Sequence, residues 1–180
     1  RCLKVNHKEL LSEKLNKEIE ELRVPHGQYD DLIMARIILE KLIFHANSLW
    51  GQKNFKDEAT FQEDLARDLK KDPAYGTVFT FDEQSVSMKG RVDIICSFVD
   101  QNIRMIIELK NTSDTLKNSI ENHGSQPCVY SADSRFSKIS FLYTTFTDSN
   151  STTALDDAIS IRKSNTEDTQ SFVFCIGLMN

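Results

Sequence analysis

The chain has 180 residues and a mass of 20.6 kDa, which is the size of one ordinary domain with a buried core. Apolar residues make up 39% and charged residues 27%, a balance that excludes a disordered tail. Lys plus Arg number 22 and Asp plus Glu 27, so the net charge of −5 argues against a broadly basic nucleic-acid binder and leaves open a local site. No apolar run has the roughly 20 residues of a membrane span, so we expect no membrane partner.

The first residue and the cysteines suggest the context of the chain. It begins with Arg1, so we expect an excised domain or part of a larger polypeptide. Cys2, Cys96, Cys128 and Cys175 form no C-x-x-C pair, which argues against a zinc ribbon. Because two of them lie in apolar runs (Cys96, Cys175), we expect buried thiols and an intracellular location, cytoplasm or nucleus.

Hydrophobic periodicity predicts helices first and strands later. Apolar residues spaced three and four apart predict three helices, at 3–22, 29–50 and 56–70. Runs rich in Val, Ile and Phe predict strands at 77–81, 91–99, 103–109, 138–146 and 171–179. Between the later strands we expect a helical stretch at 113–131 that is interrupted near Gly124, a polar loop at 147–153 and a short helix at 155–162.

This order of elements predicts an α/β fold with a mixed central sheet flanked by helices. Gly and Pro are scarce, with 6 and 3 residues, so no long linker divides the chain. We therefore expect a single globular unit, in which an N-terminal helical extension (1–52) packs on the remaining domain (53–180).

The chemically informative segments are GRVDI at 90–94 and IIELK at 106–110. If the polar tip between these strands is a two-residue turn, Asp93 lies opposite Glu108, about 5 Å away on the same face. Strand alternation places Lys110 on that face as well. The three side chains should therefore converge.

The apolar neighbours of these residues make such a cluster costly without a cation. Two carboxylates that lie close together among buried strands repel each other and lose hydration. Hard oxygen ligands at this separation suit Mg²⁺ or Mn²⁺. A lysine beside the metal could orient or deprotonate a water molecule or stabilise a pentavalent phosphate. The pattern predicts metal-assisted phosphodiester hydrolysis.

The two segments and their hairpin spacing resemble the core of the PD-(D/E)XK nuclease superfamily, which has a restriction-endonuclease-like fold. Its shared αβββαβ core matches residues 56–146, and the forms of the motifs resemble the RecB-like and AAA-ATPase-associated branches most. The resemblance implies that Asp93, Glu108 and the carbonyl of Leu109 bind the metal and that Lys110 positions water or the scissile phosphate. Val92 stands where many members have proline.

Two further matches extend the resemblance. Many members carry an acid on the helix before the first strand, and Glu58 is preferred here over Glu63 because it shares the apolar stripe of the predicted helix. Gln126 and Tyr130 have the spacing of the Q-x-x-x-Y motif of RecB-like members, which would orient the substrate or the lysine. Pro127 departs from the pattern and is compatible with it only if Gln126 opens a new helical turn.

The resemblance implies a Mg²⁺- or Mn²⁺-dependent (endo)deoxyribonuclease, for which DNA is expected as the substrate in preference to RNA. Lys89, Arg91 and Lys117 are candidates for phosphate contacts. The oligomeric state is left open, with a homo-oligomer as one alternative. The alternative function is a catalytically inactive nuclease-fold module that binds nucleic acid or protein.

Each site residue also has a purely structural interpretation. Asp93 could pair with Arg91 or Arg104, and Glu108 and Lys110 could form an exposed stripe on a half-buried strand. Glu58 could serve only the helix dipole. Gln126 could be a helix cap and Tyr130 a core aromatic.

Overall fold

A computed structural model of the chain describes residues 13–22, 29–49, 55–87, 90–146, 159–166 and 169–178. The helices are α1 (Glu13–Glu20), α2 (Tyr29–Leu49), α3 (Glu58–Lys71), α4 (Leu116–His123) and α5 (Gln126–Ser131). The strands are β1 (Phe79–Ser87), β2 (Gly90–Phe98), β3 (Arg104–Thr112), β4 (Ile139–Phe146), β5 (Ile159–Thr166) and β6 (Thr169–Leu178).

The strands form one six-stranded mixed sheet in the order β1-β2-β3-β4-β6-β5. The first three strands pair antiparallel, β4 pairs parallel with β3 and β6, and β5 returns antiparallel on the outer side of β6. Helices connect β3 to β4, as a parallel pair requires. The predicted α/β class with a mixed sheet flanked by helices is confirmed.

The main apolar core lies between one face of the sheet and helices α1, α2 and α3. Ile38 and Leu42 of α2, Phe61 of α3, and Ile107 and Phe141 of the sheet are all fully buried there. Residues of the predicted N-terminal extension therefore share a core with the sheet. The proposed boundary at residue 52 stays a prediction.

A second apolar cluster lies on the opposite face, below α5. Ile95 and Ile106 belong to it, whereas their neighbours Ile94 and Ile107 belong to the main core, so strand alternation separates the two faces. Tyr130 of α5 packs into this second cluster. The predicted break in the helical stretch near 124 is confirmed, since α4 ends at His123 and α5 begins at Gln126.

Two predicted elements differ from the structure. The short helix predicted at 155–162 is wrong for residues 159–162, which belong to β5; residues 155–158 and the predicted loop at 147–153 lie outside the described part of the chain. The spacing of Ile159 and Ile161 has the period of a strand, and both pack against the main core. Strand β1 also extends to Ser87, because its polar second half pairs with β2.

The cysteine predictions are tested for three of the four cysteines. Cys96 and Cys175 are buried free thiols as predicted, Cys128 is a third, and Cys2 lies outside the described residues. None of the helices described here has the length and apolar character needed to cross a membrane.

Candidate functional site

The hairpin of β2 and β3 has the predicted register with a longer turn. Ile94 pairs with Ile107 and Ser97 with Arg104, which is the register in which Asp93 was predicted opposite Glu108. The paired ladder ends at Ile94 and Ile107, and beyond it the Leu109 amide donates to the side chain of Asp93. The predicted two-residue turn is wrong, because the Phe98 amide bonds the Ile103 carbonyl at 3.1 Å, across a four-residue turn. The register is unchanged because the longer turn takes one residue from each strand.

Asp93 is half-buried and held by the backbone of the neighbouring strand. Its Oδ2 accepts a hydrogen bond of 2.8 Å from the main-chain amide of Leu109. The carboxylate therefore has one oxygen anchored on β3 between Glu108 and Lys110. Arg104, one alternative partner, begins β3 at the far end of the hairpin and lies 5.3 Å from the ring of Phe136.

Glu108 is the most deeply buried acid of the site, with 1% of the residue exposed, so the interpretation of an exposed stripe is wrong for it. Its Oε1 accepts a 2.8 Å hydrogen bond from Lys110 Nζ. Its Oε2 is buried and has no hydrogen-bond partner among the described residues. Burial, assisted by the negative charges of Asp93 and Glu58, raises the pKa of Glu108 to about 7, against the opposing effect of Lys110.

Lys110 connects the acids of the site. Its Nζ lies 2.8 Å from Glu108 Oε1 and 3.8 Å from Glu58 Oε1, and only 14% of its side chain is exposed. Burial alone would lower the pKa of Lys110, but the hydrogen bond to Glu108 and the nearby negative charges raise it above its ordinary value. The amine is therefore protonated at neutral pH.

Glu58 is the first residue of α3, and the helix N-terminus brings it to this group. Asp57 caps the helix by accepting a 2.8 Å bond from the Thr60 amide. Burial raises the pKa of Glu58, Lys110 lowers it and Asp93 raises it further. Glu63 is exposed and borders a surface depression with Arg67 and Lys70. Of the two acids predicted for this helix, the structure brings Glu58 to Lys110.

Glu58, Asp93, Glu108 and Lys110 are called the acid–lysine cluster below. A search of the described residues finds no group of three or more His, Cys, Asp or Glu side chains arranged to hold a metal ion. Mg²⁺ commonly binds proteins through one or two carboxylates and completes its shell with water. The set predicted from the sequence, Asp93, Glu108 and the Leu109 carbonyl with Glu58 to complete or support it, would be a donor set of that kind.

Gln126 and Tyr130 form a pair on α5. Gln126 begins this helix and Pro127 occupies its first turn, as the spacing required. Gln126 Nε2 donates a 3.1 Å hydrogen bond to Tyr130 Oη. Tyr130 is 9% exposed and packs in the second apolar cluster, so its structural interpretation as a core aromatic is confirmed.

Tyr130 also explains the glycine at the start of the GRVDI segment. Gly90 has a φ of +139°, and a Cβ there would lie 3.2 Å from Cε1 of the Tyr130 ring. The ring therefore covers the start of β2, three residues before Asp93. A larger residue at position 90 would strain the backbone and displace the ring.

The three predicted phosphate contacts have different surroundings. Arg91 is exposed and follows Gly90 at the start of β2. Lys117 is strongly exposed on α4 and lies 4.0 Å from Glu121. Lys89 lies outside the described residues. Their contact with phosphate stays a prediction.

A second buried polar group, which no sequence motif indicated, lies on the α2–α3 side of the sheet. His45 Nδ1 lies 2.9 Å from Tyr143 Oη, and His45 Nε2 lies 3.3 Å from Asp64 Oδ2. Arg67 pairs with Asp64. These four residues are called the His45 network below. Tyr143 is the register partner of Leu109, so the network lies behind the strand that carries the acid–lysine cluster. No local spacing could indicate contacts between residues this far apart in sequence.

A comparison with protein-family models found no match, and comparisons with curated proteins and with solved structures found none either.

Proposed function

We propose that the chain is a divalent-metal-dependent nuclease that hydrolyses phosphodiester bonds of DNA. The observation that carries the proposal is the state of Glu108: a carboxylate with 1% exposure has one oxygen without a partner among the described residues, next to two further acids and a lysine. A buried acceptor that lacks a donor is costly unless it serves a ligand. A hard cation supplies the missing positive charge.

The arrangement of the elements supports the assignment to the PD-(D/E)XK superfamily. The order α3, β1, β2, β3, α4–α5, β4 agrees with the helix, three strands, helix and strand of its shared core. The motif residues Asp93, Glu108 and Lys110 lie on the second and third of these strands. We therefore propose a restriction-endonuclease-like core with the helices α1 and α2 added before it.

The donors suit Mg²⁺ or Mn²⁺. The carboxylates of Asp93 and Glu108 and the carbonyl of Leu109 would hold the ion, and Glu58 would support it. Their oxygens are the hard ligands that these cations prefer. Bound there, the ion would polarise the scissile phosphate and lower the pKa of a water molecule. The raised pKa of Glu108 makes binding depend on pH, because the ligand must lose its proton.

The chain's own residues have separate tasks in this proposal. The Leu109 amide fixes the orientation of Asp93. The protonated amine of Lys110, held by Glu108, orients the attacking water or stabilises the negative charge that develops on the phosphate. Arg91, Lys89 and Lys117 contact neighbouring phosphates. Gln126 and Tyr130, which are hydrogen-bonded to each other, would orient the substrate or Lys110.

Cleavage of supercoiled plasmid in Mn²⁺ and in Mg²⁺ tests the proposal. We expect the wild type to nick the plasmid and Lys110→Ala to lose at least about 100-fold in rate, since it removes charge stabilisation of the reacting phosphate. Lys70→Ala is the matched control, because Lys70 is exposed and pairs with Glu83 away from the cluster. Equal cleavage by wild type and Lys110→Ala would refute the assignment. Cleavage assays with single-stranded DNA and with RNA then show which type of nucleic acid is the substrate.

A second function is favoured by one observation. Lys110 lies within ion-pair distance of both Glu108 and Glu58, so part of the acidic charge is already compensated within the chain. This suits a catalytically inactive nuclease-fold module that binds nucleic acid or protein. Calorimetry decides between the two: the nuclease binds Mn²⁺ and loses this binding in Glu108→Gln, whereas the inactive module binds none while its fold stays intact.

A further inference from the structure

Asn111 is a polar residue that directly follows Lys110 on β3 and attaches this strand to the start of α3. Its Nδ2 donates a 3.1 Å hydrogen bond to the carbonyl of Phe55, a residue 56 positions earlier in the chain. Phe55 is buried in the main core and lies two residues before Asp57, the cap of α3. The bond therefore ties the segment that leads into α3 to the strand of the acid–lysine cluster.

The main chain of Asn111 makes a second connection to the same helix. Its amide dipole lowers the pKa of the Glu58 carboxyl, against the larger effect of burial. Glu58 Oε1 also lies 3.8 Å from Lys110 Nζ. Lys110 therefore contacts the first acid of α3 by charge, and the next residue, Asn111, contacts the segment just before that helix through its side chain.

The chemistry of the side chain specifies an amide at this position. The Phe55 carbonyl can only accept a hydrogen bond, so the group that faces it must be a donor, which assigns Nδ2 to that side. Asn111 Oδ1 is buried and has no partner among the described residues. An aspartate of the same shape would place an oxygen against the carbonyl oxygen of Phe55, and alanine would leave that carbonyl without its donor.

We propose that Asn111 is a positioning residue, which keeps Glu58 beside Glu108 and Lys110 by holding the start of α3 on β3. It touches neither substrate nor metal and acts through Glu58. The capping hydrogen bond between Asp57 and the Thr60 amide at the same helix end is exposed, whereas the Asn111–Phe55 bond is part-buried. The proposal deepens the proposed function, because it rests on Glu58 being part of a metal site.

A double-mutant cycle on the full chain tests this dependence. Calorimetry measures the affinity for Mn²⁺ of the wild type, Asn111→Ala, Glu58→Gln and the double variant. Residues that orient a metal ligand typically contribute about 10- to 100-fold in affinity, so we expect Asn111→Ala to weaken binding by about tenfold. The double variant should bind no more weakly than Glu58→Gln alone. Asn102→Ala, an exposed asparagine at the hairpin turn, should match the wild type.

Losses that add in the double variant would show that Asn111 does not act through Glu58, and would overturn the proposal. So would an Asn111→Ala variant with the affinity of the wild type.

Hydrogen exchange of the metal-free chain provides a readout that does not depend on the proposed function. We expect Asn111→Ala to accelerate exchange at the amides of Thr60 and Phe61, which bond Asp57 in the first turn of α3, and to leave the β2–β3 amides protected. Uniform loss of protection would mean a general stability effect and would overturn the proposal. Absence of Mn²⁺ binding by the wild type would remove the nuclease assignment, and the exchange result alone would then decide the role of Asn111.

Discussion

The acid–lysine cluster and the His45 network both contain buried polar groups, on opposite sides of the same sheet. They differ in how many of those groups have hydrogen-bond partners. In the His45 network, the two ring nitrogens of His45 have Tyr143 and Asp64 as partners, and Asp64 also pairs with Arg67. In the acid–lysine cluster, three acids surround one lysine and one oxygen of Glu108 has no partner among the described residues.

This difference separates a stabilising network from a candidate site. A buried polar network whose members are all satisfied orients helices on a sheet and contributes to stability. An incomplete network costs stability, and such costs are concentrated where a ligand completes the group. The burial of His45 and Glu108 is nearly equal, at 1% exposure each, so burial does not distinguish the two groups. The two groups are distinguished by their hydrogen bonds, which among the described residues are complete at His45 and incomplete at Glu108.

The largest effect is expected from Glu108→Gln on catalysis. The substitution keeps an acceptor for Lys110 and replaces the unpartnered oxygen by an amide nitrogen, so the fold is retained while the proposed metal ligand is lost. We expect the rate of plasmid cleavage to fall by at least about 100-fold. Urea unfolding at pH 8 should give a stability at least equal to that of the wild type.

The matched control is Glu63→Gln, which changes an exposed acid on α3 and should leave both quantities unchanged. If Glu63→Gln lost activity and Glu108→Gln retained it, the assignment of Glu108 to the metal site would be wrong.

The next effect concerns the stability of the His45 network. His45→Ala leaves the buried groups of Tyr143 and Asp64 without their partner and opens a cavity, so we expect unfolding to become easier by about 3 kcal/mol. The cleavage rate per folded molecule should stay within about twofold of the wild type. Urea denaturation and active-protein titration measure the two quantities.

Val99→Ala, at an exposed position on the turn between β2 and β3, is the control for His45→Ala and should leave the unfolding free energy and the cleavage rate unchanged. A large loss of specific activity in His45→Ala with little change in stability would mean that the network belongs to the site.

The pH dependence of stability tests the cost at Glu108 directly. The pKa of Glu108 is raised from 4.5 to about 7 in the folded chain, mainly by burial. Protonated Glu108 therefore favours the fold, and this contribution, full below pH 4.5, is lost as the pH rises to about 7 and stays lost above it. The stability of the wild type relative to Glu108→Gln should fall over that window by at most about 3 kcal/mol. Urea midpoints of both proteins at pH 4, 5.5 and 8 measure it, and a difference independent of pH would contradict the raised pKa.

The smallest effect is expected from Tyr143→Phe. The ring stays in place, where it packs edge-on against Phe61 at 4.9 Å, and only the hydroxyl bonded to His45 is removed. We expect a loss of about 1 kcal/mol in the free energy of unfolding, the typical net contribution of one buried hydrogen bond. A loss as large as that of His45→Ala would mean that Tyr143 carries most of the energy of the network.

Local patterns predicted the part of the site that is built from neighbouring strands. Runs rich in Val, Ile and Phe at 91–99 and 103–109 predicted β2 and β3, and the hairpin connection predicted Asp93 opposite Glu108; the register of the observed pairs agrees. The register held although the turn is longer than predicted, because a symmetric change in the turn preserves the pairing. Short sequence separation makes such contacts predictable.

Other contacts depended on how distant elements pack. The sequence offered Glu58 and Glu63 on one helix, and only the placement of α3 on β3 brings Glu58 to Lys110. The strand at Ile159–Thr166 was predicted as a helix in part, since a short segment next to a polar loop carries little periodic information and the pairing with β6 decides its conformation.

The sequence by itself determined the α/β class, the helices α2 and α3, the hairpin and the acids and lysine that it carries. These follow from periodicity and from contacts between residues close in the chain. Only the tertiary structure decided that Glu108 is buried with an unpartnered oxygen, that Asn111 reaches Phe55, and that His45 meets a tyrosine 98 residues away. Burial and long-range hydrogen bonds are properties of the packed elements together, and a residue's own neighbours in the chain do not specify them.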